Sequence, residues 1–288
     1  MSGYRKPKLR LHREFLYLND STVVNALSAI ESGKIDEIIE QAKTSTGSGI
    51  EAGLGYGPAK IAAKKGKDSD VTANLVRTRT AFSAFEAWHR HLRDHEAIGE
   101  LTAWDEDTRN ELGVGDTIEL HARLEFAPIH KVFAIFLSYV DNANRPDSFF
   151  QIESKQLPGL KRIAQQARGM LKGADGATSN LVYIHPLGVR APIMLASLSD
   201  LHFVGDRANI EGEYTVVVQV SSLVSDGEKL PALRAMSDAP RTDVEVDNVS
   251  KALDGLVDAA KEMGVTIQEE DKFFTYPTVV VHPIAIYR

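Results

Sequence analysis

The sequence predicts an α+β fold, with a mostly helical N-terminal half and a strand-rich C-terminal half that forms a mainly antiparallel sheet. Up to about residue 172, apolar residues recur mainly every three or four positions, as on one face of a helix. After residue 179 they occur in short runs bounded by turn residues, which is typical of strands. A hydrophobic content of 43% supplies enough apolar surface for a substantial core.

The length of 288 residues suits one large domain or two ordinary ones. Gly173, Gly176 and the small residues between and after them are the best linker candidate. We therefore expect a helical or mixed region at 1–172, with a glycine-rich insert at 44–66, and an α+β region at 179–288. The sequence leaves open whether these regions form one continuous domain.

Periodicity and capping residues predict the elements of the N-terminal half. They are a buried strand at Phe15–Leu18, a helix at 22–31, a second short helix from Ile35 to Ala42 after a turn at Gly33, a helix at 70–98, a half-buried strand at Thr117–Phe126, and a helix opened by Pro128. Because the run after Pro128 is strongly apolar, a strand is the alternative there.

The C-terminal half is predicted to alternate helices with short strands. The elements are a helix at 148–172 broken by Pro158 and Gly159, strands at 181–184, 193–198 and 214–224, a tight turn at 225–227, a helix at 247–263, and a strand at 278–287. The last strand is apolar on both faces, which predicts a central place in the sheet.

Charge and cysteine content exclude several classes of function. A formal net charge of -7 argues against nucleic-acid binding by the whole surface, although the basic residues within 5–13 could touch phosphate or form a solvated tail. The absence of cysteine excludes disulfides and thiolate metal sites. No apolar signal region follows the basic start. These features predict a cytoplasmic protein.

The stretch at 44–66 is the least ordinary part of the chain. From Gly49 to Gly57, glycine or glutamate alternates with larger or apolar residues, so an extended conformation would set a bare face behind an apolar one. The stretch could be a flexible linker, a platform for close backbone approach, or a strand that forms on a partner. The candidate binding residues are Gly49, Gly53, Gly55, Tyr56, Gly57 and Lys60. Their spacing fits neither a phosphate loop nor a dinucleotide-binding fingerprint.

Three histidines near one another, His89, His91 and His95, invite a metal-site interpretation. On a helix, however, His89 and His91 lie about 200° apart. His89 falls on the inward stripe with Phe82 and Phe85, whereas His91 and His95 face away. We therefore predict one core histidine, two surface histidines and no metal site.

Two similar runs place a His-Pro pair at an apolar strand, with histidines at His185 and His282. If the two strands lie near each other, the two imidazoles could face one another as a pH-sensitive pair. The alternative is structural, because a histidine beside a proline commonly bonds a backbone carbonyl.

The one enzyme pattern is that of a metal-dependent nuclease. In that chemistry, carboxylates of Asp141 or Asp147 and of Glu153 would hold a divalent metal, and Lys155 would help to activate water. The gap from Asp147 is short, and the segment before Asp141 has helical spacing. Both observations count against the pattern.

The segment Arg13–Asp20 (REFLYLND), the glycine-rich insert and the final Pro283–Tyr287 (PIAIY) together resemble a family of uncharacterised bacterial proteins. The resemblance implies a bacterial cytoplasmic protein and supplies no catalytic residues. We expect a non-enzymatic protein without a cofactor that binds a protein partner or assembles with itself. Residues 47–57 are the candidate membrane contact.

Overall fold

We describe residues 13–30, 81–143, 145, 155, 157–173, 175–232 and 265–288 of a computed structural model of the protein. The chain divides into two compact units, one within residues 20–95 and the other formed by 1–19 and 96–288. The predicted helices at 35–42 and 247–263 and the glycine-rich stretch at 44–66 lie outside the described residues.

The unit within 20–95 contributes two described helical stretches, α1 (residues 20–30) and α2 (Ala81–Asp94). Val23 and Leu27 of α1 are buried, as their spacing predicts. In α2 the buried face is formed by Ala84, Phe85, Trp88 and His89. Phe82 was expected on this face and is instead 42% exposed, because the buried face lies toward Ala84 and Trp88.

The described part of the other unit contains nine strands. They are β1 (Phe15–Leu18), β2 (Gly99–Glu100), β3 (Thr117–Phe126), β4 (Ser179–Pro186), β5 (Met194–Ser199), β6 (Gly212–Leu223), β7 (Lys229–Pro231), β8 (Phe273–Thr275) and β9 (Val279–Tyr287). The helices of this unit are α3 (Glu106–Glu111), α4 (Pro128–Ala143), α5 (Leu157–Met170) and α6 (Glu269–Lys272), with 3-10 turns at Asp200–His202 and Arg207–Asn209. The unit is therefore α+β, as predicted.

Five of these strands close into a small barrel in the order β3, β4, β5, β9, β6 and back to β3. Strands β1 and β2 extend the sheet from β9 and β3. The pairings β2–β3 and β5–β9 are parallel, so the expectation of a mainly antiparallel sheet is wrong and the sheet is mixed. Strand β9 is central, because it pairs with β1, β5 and β6.

Apolar side chains fill the interior of the barrel. A barrel of eight strands is only just wide enough to be filled by side chains, so a five-stranded one leaves less room still. The inward positions alternate along the strands as the pleat requires, except where β9 shifts register between Pro283 and Ala285. All five strands contribute apolar side chains, among them Ile118, Leu120, Leu124, Val182, Ile184, Met194, Leu198, Val216, Val218, Val220, Val279, Val281 and Ile286.

Helices α4 and α5 cover the outer face of β4 and β5. Pro128 is the first residue of α4, where its missing N–H costs nothing, so the helical interpretation of this apolar run is confirmed. Pro158 and Gly159 were expected to break α5, but they lie in its first turn and the helix continues to Met170. Ile129 and Phe133 of α4 pack with Ala167 of α5 and with Leu171, just after α5, on the outward residues of the strands.

His130 of α4 lies at one end of the barrel and is only 5% exposed. Its ring stacks on Phe126 with the centroids 5.0 Å apart, and its Nδ1 has no hydrogen-bond partner in the described structure. Burial, and then the positive Arg207, lowers the pKa of His130 from 6.5 to about 4, against the opposing effect of Asp200. The ring is therefore held neutral at pH 7.

Replacing His130 with Phe should remove part of the acid sensitivity of the fold. Because the unfolded ring takes up a proton below pH 6.5 and the folded ring only near pH 4, His130 costs stability as pH falls through this window. The cost at pH 4.5 is about 2 to 3 kcal/mol. Urea unfolding between pH 7.5 and 4.5 should show the smaller loss in His130→Phe. The exposed-site control His121→Gln should behave like the native protein; equal slopes for all three proteins would contradict this account.

Candidate functional site

A concave cleft opens where β2 and α3 meet the start of β3. Its volume is about 410 Å3. Its lining residues come from one stretch of chain: Glu96, Ala97, Gly99, Glu100, Leu101, Thr108, Glu111, Leu112, Gly115, Asp116, Thr117 and Ile118. Four of these residues are acidic and none is basic. The lining therefore carries a strong formal negative charge at neutral pH.

Local sequence explains why the wall formed by α3 stands where it does. Asp105 caps the helix, and its carboxylate accepts hydrogen bonds from the backbone N–H of Thr108 at 2.9 Å and from the Thr108 hydroxyl at 2.7 Å. These bonds hold the pKa of Asp105 below its usual value. Arg109 bonds the Tyr276 hydroxyl at 2.7 Å, which ties α3 to the turn before β9. The helix is thus fixed at both its cap and its side.

The turn between α3 and β3 forms the floor of the cleft. Gly115 has a φ of +99°, a conformation that glycine adopts readily and other residues avoid. Its backbone N–H donates to Val220 of β6 at 2.8 Å, which fixes the turn to the barrel. Asp116 accepts from the Gly113 N–H at 2.7 Å. Leu101 and Leu112 pack on the barrel core and make the base of the cleft apolar.

The charge and shape of the cleft suit a cationic group. Carboxylates around an apolar base favour a ligand with positive charge at its ends and methylene groups between them. No group of three or more His, Cys, Asp or Glu side chains in the described ranges is arranged to hold a metal ion. The cleft was not predicted from the sequence. The density of acidic residues between 96 and 116 was the signal that could have suggested it.

The predicted histidine pair is divided between two sites. His185 on β4 bonds Glu125 of β3, Nε2 to Oε1, at 2.8 Å. His282 on β9 bonds Asn19 at 3.0 Å. Strand β5 lies between β4 and β9 in the barrel. Each ring thus has its own hydrogen-bond partner, and the two rings do not face each other.

His185 belongs to a polar group on the outer face of the barrel. Tyr183, two residues earlier, donates its hydroxyl to Asp271 of α6 at 3.0 Å. Burial, and then the charge of Asp271, raises the pKa of the Tyr183 phenol. The phenol therefore stays protonated and holds α6 against β4, which is a structural role.

His89 and His91 lie in α2, and His95 follows its last residue. His89 is buried and its ring stacks on Phe85, with centroids 5.4 Å apart. The rings of His91 and His95 are 4.0 Å apart, and His95 Nδ1 lies 2.9 Å from the carbonyl oxygen of His91. His95 Nδ1 is thus occupied by a backbone bond within the helix.

Of the residues in the nuclease pattern, Asp147 and Glu153 lie outside the described part of the chain. Asp141 is in the last turn of α4 and forms an ion pair with Arg168 of α5. Lys155 is exposed in a turn before α5. Asp141 thus links α4 to α5, and its negative charge is paired with the positive charge of Arg168.

The predicted contact segments lie mostly beyond the described residues. Gly49, Gly53, Gly55, Tyr56, Gly57 and Lys60 are all outside them, and so is the basic stretch 5–13 except for Arg13. The Arg13 guanidinium lies over the Tyr287 ring, 4.8 Å from its centroid, so it packs on the barrel. In the described residues, every helix is too short or too polar to cross a bilayer.

The closed five-stranded barrel and its outer helices define an α+β protein with an acidic surface cleft. The sequence model of one protein family, described as a domain of unknown function (DUF6414), matches residues 12–287. The chain belongs to this family. No curated protein and no solved structure gives a significant match. The resemblance to an uncharacterised family is thus confirmed.

Proposed function

We propose that this protein is a non-enzymatic bacterial binding protein, cytoplasmic and without a cofactor, and that its acidic cleft receives a lysine- or arginine-rich segment of a protein partner. The observation that carries the proposal is the lining of the cleft, which is acidic at four positions and basic at none. The proposal is also supported by the barrel interior, which side chains fill, so that a ligand has to bind on the outer surface.

The shape of the cleft favours a side chain rather than a bare cation. A volume of about 410 Å3 accommodates one or two long side chains. Lysine and arginine can lay their methylene stems on Leu101 and Leu112 and keep their charged heads near the rim. Because the carboxylates are near solvent, each contributes only about 0.2 to 1 kcal/mol, so affinity depends on several contacts together.

An octalysine peptide should bind the native protein and lose affinity when the cleft is neutralised. Replacing Glu96, Glu100 and Glu111 with Gln should weaken binding about tenfold, because three exposed ion pairs are lost. Fluorescence anisotropy of the labelled peptide at low and at physiological salt measures the affinity, and salt should weaken it.

The matched control places the same three charge removals outside the cleft, at Glu106, Glu213 and Glu270. Both variants change the formal net charge from -7 to -4, since each substitution removes one negative charge. The control should bind the peptide nearly as well as the native protein. An equal loss in both variants would show that the peptide senses net charge alone, and would refute the assignment of the cleft.

A second contact is proposed for the glycine-rich stretch, as an adaptable element for self-assembly or for a membrane surface. Its support is the alternation of Ile50, Leu54 and Tyr56 with glycine and glutamate. Deleting 47–57, or changing these three apolar residues to Ser, should abolish vesicle pelleting and leakage if the contact is with lipid. If the contact is with a second copy, both variants should instead lower the mass measured by light scattering. Native protein that neither pelleted with vesicles nor self-associated would contradict both versions.

The metal-dependent nuclease is the alternative to a binding protein. If the protein is a nuclease, it should cleave nucleic acid in a Mg2+-dependent way, and Glu153→Ala and Lys155→Ala should each lose this cleavage. On our proposal the native protein leaves both DNA and RNA intact in Mg2+. Cleavage that disappears in both variants would replace the binding function with the enzyme.

A further inference from the structure

One edge of strand β9 is shared between two other strands. Val279–Val281 of β9 pair with β5, whereas the residues from Ala285 to Tyr287 pair with β1. The change of partner falls at His282 and Pro283. Proline has no N–H to offer a neighbouring strand, which suits a position where ladder pairing is interrupted. The barrel wall therefore forks at His282.

His282 and Asn19 bridge this fork. The Asn19 side-chain Nδ2 lies 3.0 Å from His282 Nε2 and donates to it. Asn19 is only 4% exposed, and its backbone N–H donates to the Ile284 carbonyl at 2.8 Å. Asn19 is also the last residue of the barrel unit before α1 begins at Asp20. The bridge thus fixes the end of β1 at the point where the chain leaves the barrel.

The bridge depends on the protonation state of the imidazole. A neutral ring with its proton on Nδ1 offers Nε2 as an acceptor, whereas an imidazolium has only donors. If His282 is protonated, its Nε2–H faces the Asn19 Nδ2–H2 group, and two donors cannot form a hydrogen bond. The present bond, with Asn19 Nδ2 donating to Nε2, therefore forms only while the imidazole is neutral.

The groups around His282 also favour its neutral form. His202 approaches from the 3-10 turn, and across the sheet β6 presents the uncharged Gln219. The Asn19 amide follows the end of β1, and Tyr17 of β1 meets the ring of His202 edge-on at 5.8 Å. Partial burial of its ring, and then the charge of His202, lowers the pKa of His282 below 6.5, although the residue as a whole is exposed.

We propose that His282 is a pH-sensitive latch, whose neutral ring holds Asn19 and the end of β1 and whose protonated ring releases them. The latch goes beyond the proposed binding function and does not depend on it. Because the ring is harder to protonate when folded, the latch is fully closed above pH 6.5 and opens as pH falls through the lower folded pKa.

Hydrogen exchange of the Asn19 backbone N–H, followed by NMR in the full chain, tests the latch. Between pH 7.5 and 5, after correction for intrinsic exchange, this amide should become about tenfold less protected, which corresponds to the loss of one hydrogen bond. Amides in the middle of β3 and β6 should keep their protection. The titration of the His282 ring, followed in the same samples, should coincide with the change.

Two variants separate the latch from a general effect of acid. His282→Gln keeps an acceptor for Asn19 without a titrating ring, so its Asn19 amide should stay protected at pH 5. Asn19→Asp places a carboxylate beside the ring and should reverse the response, with the pKa of His282 raised and better protection at pH 5.5 than at pH 8.

The proposal is overturned if the Asn19 amide of the native protein keeps its protection at pH 5 while His282 is protonated. It is also overturned if His282→Gln loses protection with the same pH midpoint as the native chain. Should His282→Gln fail to fold, the native titration and the reversed response of Asn19→Asp decide the matter. The exposed-site variant His121→Gln is the control and should behave like the native protein.

Discussion

The pairing of strand β9 on both edges is the constraint on which the rest of the barrel depends. One edge lies along β6, from Val279 to Tyr287. The other edge is divided between β5 and β1. Without the short parallel contact to β5, the strands would form an open sheet with two more exposed edges. The three residues Val279–Val281 therefore decide whether a barrel exists at all.

Closure determines where binding can occur. A closed barrel of five strands has its interior filled by valine, leucine and isoleucine, and α4 and α5 cover the outer face of β4 and β5. Concave surface is then left at the margins, such as the side where β2 and α3 lie against β3. Because β2 has only two residues, it leaves room for the cleft beside it. The position of the acidic cleft thus follows from the topology.

Local elements could be predicted from the sequence because their signals are local. The alternation in β3, the proline that opens α4 and the glycine turn after β6 are all properties of a few adjacent residues. The pairing of the strands could not be predicted in this way. Nothing in the sequence of β5 indicates that it lies parallel to β9, about 85 residues later in the chain. The same holds for the partners of the two predicted histidines.

The candidate site was missed for a related reason. Its acidic residues are close in sequence, but they form a cleft only because Gly115 bonds Val220 of β6 and Arg109 bonds Tyr276. Both contacts cross more than a hundred residues of chain. Only the fold gives those charges a concave surface with an apolar base.

The barrel closure is tested most directly by native-state hydrogen exchange along β5. If Met194, Leu195 and Ala196 are held on both sides, their amides should exchange with the same free energy as the central amides of β3 and β6, because all require opening of the barrel. The closed barrel would be contradicted if these three amides exchanged clearly faster, by local fraying, while β3 and β6 stayed protected. That result would show that β5 is a free edge.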